Sequence, residues 1–76
     1  MLKVGKSLYV PCDKVLACIE KKSRNSNEIL QLAKENNKWL DATNGKATKA
    51  LVVLLDGSIV TASLTVDTLV TRLENN

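Results

Sequence analysis

The chain has no histidine and no phenylalanine, and only one proline, one tryptophan, one tyrosine and two cysteines among its 76 residues. Each shortage closes off a kind of chemistry. Without histidine, neither a Ser–His nor a Cys–His nucleophile can be assembled. No GxSxG segment or acid–base carboxylate pair takes its place, so no catalytic residue and no enzyme activity are expected. Two cysteines without a CxxC spacing form neither a disulfide framework nor a metal-ligand set. Cys12 and Cys18 therefore read as small core hydrophobes, and no metal or cofactor is expected. Two aromatic residues leave little to stack on unpaired bases, which argues against a single-strand binder. No apolar run approaches the ~18 residues that span a bilayer, and no secretory leader is visible. A soluble, cytoplasmic protein with no membrane partner is the expectation.

What is present is charge, unevenly placed. Residues 1–50 hold ten of the eleven Lys and Arg against five acids, a net of +5. Residues 51–76 hold Arg72 against Asp56, Asp67 and Glu74, a net of −2. An asymmetry of this kind suggests one basic surface that attracts a polyanion. The ordinary alternative is that the lysines only keep a small protein soluble.

A chain of this length makes one domain, residues 1–76, and buries only roughly 60–65% of its unfolded surface. Oligomerisation is a common remedy for so small a core.

The segment Lys38–Leu64 organises the rest. It contains two of the three glycines, in the dipeptides Asn44-Gly45 and Asp56-Gly57, with the longest apolar run, Ala50–Leu55, between them. A short apolar run bounded by turn residues predicts a strand buried on both faces. Asn-Gly and Asp-Gly suit two-residue hairpin loops. A three-stranded antiparallel meander is therefore expected, over about Trp39–Thr43, Thr48–Leu55 and Ser58–Leu64.

Ahead of it, Leu2–Val10 predicts a short hairpin or bulged strand broken at Gly5-Lys6-Ser7 and stopped by Pro11. Val15–Ile19 predicts a second buried strand with Lys14 at its mouth. Glu20–Arg24 is a basic polar turn, more often a solvated connector than a phosphate contact. Asn25 with Glu28 resembles a capping box, predicting a helix over about Ser26–Asn36 with Ile29, Leu32 and Ala33 facing the core and Leu30 at the edge. Asn36-Asn37 should end that helix. Thr65 caps a last helix bearing Val66, Leu69, Val70 and Leu73, with Asp67 favourable in its first turn and Glu74–Asn76 fraying. The fold class expected is α+β: a small antiparallel sheet with a meander, one central helix and a short C-terminal helix.

The segment Leu40–Lys49, LDATNGKATK, resembles the Asp-Ala-Thr-x-Gly motif of the RemA-like extracellular matrix regulatory proteins, in which basic residues and a threonine follow the glycine. The similarity continues through Ala50–Leu55, Ile59–Leu64 and Thr65–Leu73. Upstream it takes in Glu28–Lys34 and Lys14-Val15-Leu16. The resemblance implies a DNA-binding transcriptional regulator of biofilm-matrix genes, assembled as a ring-like homo-oligomer that presents repeated basic loops to double-stranded DNA. Carried over by position, Lys46 and Lys49 take the basic places after the turn, and Lys14 takes the basic place before the second strand. Thr48 adds a hydroxyl for phosphate.

The chain departs from that pattern at Ala47, where the family has a second cation, and in having lysines where it has arginines. Lysine is a point charge without arginine's bidentate fork, so phosphate contact is expected to outweigh base reading. The rival reading is an oligomeric scaffold or partner-binding protein with weak or no DNA binding, and Ala47 favours it.

Overall fold

The computed structural model describes residues 1–75. A two-residue ribbon comes first, β1 (Leu2–Lys3) against β2 (Tyr9–Val10). A single 3-10 turn, Cys12–Lys14, leads into β3 (Val15–Glu20). There follow α1 (Arg24–Glu35), β4 (Trp39–Asp41), β5 (Ala50–Leu54), β6 (Ile59–Ala62) and α2 (Val66–Glu74). The class is α+β, with the antiparallel β1–β2 ribbon beside a four-stranded mixed sheet ordered β3-β5-β6-β4.

The central strand is where the apolar run places it. Along β5 the side chains alternate between two cores, as a pleated strand requires. Leu51 and Val53 face α1, where Leu30, Ala33 and Ile59 pack. Ala50, Val52 and Leu54 face the other layer, made of the β1–β2 ribbon and α2 with Leu2, Val4, Val10 and the fully buried Leu69. Cys12 and Cys18 are free thiols packed against this second core. Burial pushes the Cys18 thiol above its ordinary pKa.

The meander is corrected at its first strand. β5 and β6 do form an antiparallel hairpin, but β4 lies on the far side of β6 and runs parallel to it, pairing Trp39 with Ile59 and Asp41 with Thr61. The reason lies in the connection. Residues 42–49 are too many for a two-residue hairpin, and both ends of this segment bond to β6. The Ala42 amide donates to the Thr61 carbonyl at 2.9 Å and the Lys49 amide to the Ala62 carbonyl at 2.8 Å. The chain thus steps around the end of β6 instead of folding back on β4.

The second turn also differs in length. Gly57 has φ 89° and its amide donates to Leu54, while Leu54 donates to Ser58. That is a three-residue loop, Leu55-Asp56-Gly57, with the glycine in the left-handed position of a bulge. Asp56 accepts from the Ser58 amide at 2.9 Å. This contact, with Lys38 nearby, holds its carboxyl below the usual range.

The start of α1 is corrected from Asn25 to Ser23, whose side chain accepts from the Ser26 amide at 3.0 Å. The Ser26 hydroxyl is fully buried within reach of the Lys21 and Ser23 carbonyls, at 2.9 and 2.7 Å. Both Ser23 and Asn25 are competent caps. The need of the Lys21 carbonyl, at the end of β3, for a donor selects the earlier one. It also sets the helix phase: Ser26, Leu30 and Ala33 face inward, while Ile29 and Leu32 are exposed.

The helix ends as expected. Asn37 takes a left-handed φ of 58°, with Lys38 donating to Ala33 and Asn37 to Lys34, the paired bonds of a Schellman motif. Thr65 caps α2 through the Thr68 amide. Glu74 remains helical with Asn75 as its cap, and the expected fraying at Asn76 lies outside the described residues. No helix among them is long and apolar enough to cross a membrane.

Candidate nucleic-acid interface

The segment Ala42–Lys49 contains two lysines and no acid. Its shape follows from its first residues. Asn44 (φ 54°) and Gly45 (φ 85°) occupy the two positive-φ positions of a type I′ turn, closed by the Lys46 amide donating to the Thr43 carbonyl at 3.1 Å. Only residues that tolerate the left-handed region fit there.

The turn is fastened by Asp41. Its carboxylate accepts from the Thr43 hydroxyl at 2.7 Å, the Thr43 amide at 3.0 Å and the Thr61 hydroxyl at 3.0 Å. Thr61 in turn accepts from the Trp39 indole nitrogen at 3.1 Å. Thr43 and Thr61 are buried. The Thr43 hydroxyl, then its amide, then the Thr61 hydroxyl, with Lys34 close by, hold the Asp41 carboxyl below the usual carboxylate range. Ala42 is confined too. The backbone of Gly5 comes so close to the Ala42 carbonyl that a Cβ at position 5 would clash with it and lie 2.9 Å from the Ala42 Cβ. Asp41, Ala42 and Thr43 are thus a mounting for the turn, and the cations after it are what the mounting holds out.

Lys46 leaves the turn exposed, Thr48 is half-buried, and Lys49 is exposed just before β5. The Lys49 carbonyl accepts from the Lys21 amide at 3.1 Å. This brings Lys21 and Lys22 to the rim of the same cleft as Thr48 and Lys49, with Glu20 and Asp67 also on it. Those two lysines read from sequence as a solvated connector. The charge run was their only signal, and only β3–β5 pairing reveals their neighbour.

Lys14 is placed elsewhere. Its carbonyl accepts from the Leu55 amide, six residues along the strand from Lys49. At about 3.3 Å per residue the two backbones are roughly 20 Å apart, at opposite ends of the sheet. Within one subunit Thr48 and Lys49 line one cleft, Lys46 lines another beside the turn, and Lys14 lines a third. Among the described residues no group of three or more His, Cys, Asp or Glu is placed to hold a metal ion.

Compared with known proteins, residues 1–73 match the family profile described as RemA-like, extracellular matrix regulatory protein A-like. The chain belongs to the RemA-like family. Its relatives include a protein of Coprothermobacter proteolyticus named "Putative regulatory protein", 36% identical over 73 residues, covering 96% of this chain and 70% of the relative. Proteins of the same name from Bacillus cytotoxicus and Bacillus mycoides are each 32% identical over 74 residues, covering 97% of this chain and 85% of theirs. These relatives are named as regulators, not as enzymes. For a RemA-like protein, Asp41-Ala42-Thr43 and Gly45 acquire a physical meaning: they are the part of the motif that fixes loop shape.

Proposed function

We propose that this RemA-like protein is a DNA-binding transcriptional regulator of matrix genes, and that the Ala42–Lys49 loop grips backbone phosphates. The observation that carries this reading is an acid-free loop with Lys46 and Lys49 exposed, mounted rigidly on β6 through Asp41. A pre-shaped loop loses little freedom on binding, so more of each phosphate contact remains as affinity. Lys46 and Lys49 supply charge and Thr48 a neutral hydroxyl. With Ala47 between them and no arginine in the loop, base reading is slight, and preference among sequences comes mainly from DNA bendability.

Two or three lysines on one subunit hold DNA feebly. A closed homo-oligomer multiplies them at high effective concentration. The position of Lys14 tells against a grip within one subunit: roughly 20 Å along the sheet, it would join the loop's contacts only if a neighbouring copy carried its own Lys14 there. Leu16 and Leu55 beside Lys14, and Leu40 on the open β4 edge, are exposed apolar residues that such contacts would cover.

The test is a band-shift titration at rising salt with Lys46→Ala and Lys49→Ala. Each lost phosphate contact lowers the slope of log affinity against log salt by roughly 0.9. Parent-like binding by both variants would remove the loop from the interface. The rival scaffold reading, favoured by Ala47, predicts that the purified protein carries no nucleic acid even at low salt.

A further inference from the structure

A second cleft, of about 470 Å3, opens at the same end of the sheet as the loop. Three stretches distant in sequence meet around it: the tip of the β1–β2 ribbon, the Asn44-Gly45 turn, and the β6–α2 connection with α2. Its basic lining is Lys3, Lys6, Lys46 and Arg72, and among the described residues no carboxylate lines it. The cleft beside Lys49 differs in this respect, because Glu20 and Asp67 share its rim with the lysines.

The four basic residues are exposed, and the Lys3 ammonium sits 5.9 Å from the Tyr9 ring centroid; cations gathered around one concavity focus potential on an anion. Arg72 is also positioned. One guanidinium nitrogen, Nη1, donates to the Lys3 carbonyl at 2.8 Å, leaving most of its five donors for another acceptor. The close approach of Gly5 to Ala42 seats the ribbon tip, with Lys6, against the loop. Ser63 also lines the cleft, while the Thr43 hydroxyl is engaged by Asp41.

We infer that this cleft is a second phosphate-binding site, formed by Lys3, Lys6, Lys46 and Arg72, and that it takes a backbone phosphodiester of the same duplex that the loop grips. The source of the phosphate rests on the DNA-binding reading above. The site itself rests on the cleft. Lys46 borders the cleft and belongs to the loop, so one strand of DNA can run from Lys6 and Arg72 past Lys46 to Lys49. That path doubles the cationic contacts per subunit and supplies the arginine fork that the loop lacks.

The test has two arms on the intact protein. In the first, pyrophosphate is titrated at low ionic strength while backbone amide resonances are followed. Shifts at Gly5, Lys6, Asn44 and Ser63, abolished in Lys6→Gln/Arg72→Gln, are the expected result, and no such shifts would overturn the site. In the second, duplex affinity is measured across salt for the parent, Lys6→Gln, Arg72→Gln and Lys49→Ala. Each cleft variant should lower the salt slope by roughly 0.9, as Lys49→Ala does. Weakening by Lys49→Ala alone, with parent-like cleft variants, overturns the DNA role of the cleft and leaves the loop standing. A parent that binds no duplex refutes the DNA source for loop and cleft together. Pyrophosphate shifts confined to the cleft then support a site for a free phosphorylated anion.

Discussion

The Thr61 hydroxyl on β6 lies 3.0 Å from the Asp41 carboxylate on β4, and this contact ties the strand that carries the loop to its parallel neighbour. Thr61 is 2% exposed and also satisfies the Trp39 indole N–H. Thr61→Val keeps the volume but leaves both partners short. Asp41 and Trp39 are themselves exposed and can turn to water, so the loss is modest. Denaturant unfolding should show it as a lower midpoint with an unchanged slope.

Acid should weaken the fold through the same carboxylate. The Asp41 and Asp56 carboxyls are both held below the usual range in the folded chain. Groups of this kind contribute stability that is complete above the unfolded aspartate pKa of about 3.9, and that is lost as pH falls through the lower folded value. Thermal midpoints should therefore be flat at neutral pH and drop on acidification below about pH 4–5. Asp41→Asn should lower the neutral-pH midpoint and flatten the acid limb. An acid limb identical to the parent's would remove Asp41 as its source.

Two glycine substitutions should fail for different reasons. Gly45→Ala meets open space and suffers only the left-handed backbone, about 1–2 kcal/mol. Gly5→Ala drives a methyl into the Ala42 backbone and must displace the ribbon. Comparing unfolding midpoints with amide shifts separates them: local changes around residues 43–46 for the first, changes spread over β1, β2 and Ala42 for the second.

Cys18 should react slowly. Its thiol is half-buried and its pKa is raised by that burial, so little thiolate is present at neutral pH. Alkylation at neutral pH should be slower than that of a free model thiol, and a faster rate would reopen a redox role.

Much of this molecule was legible in its residues where the signal was local. The Ala50–Leu54 strand, the Asp56-Gly57 reversal, the Thr65 cap and the Asn36-Asn37 stop each depend on a few neighbouring side chains. The placement of β4 was not local. Asn44-Gly45 specifies a type I′ turn, and the turn is there, but nothing in it states which strand its flanks will join. The phase of α1 escaped for a similar reason, since the buried Ser26 answers to the Lys21 carbonyl across the β3–α1 corner. At the candidate interface, the lysines of the loop could be named from the motif. The company of Lys21, Lys3, Lys6 and Arg72 depended on pairing and packing between distant segments.

On the proposed function, weakly cationic loops hold DNA only when copies are arrayed in a closed assembly. Light scattering of the purified protein at micromolar concentration, alone and then with a short duplex, measures this directly. The predicted result is one closed homo-oligomer of fixed mass that takes up duplex as a unit and releases it as salt rises. A stable monomer that binds the duplex one-to-one with undiminished affinity would contradict it.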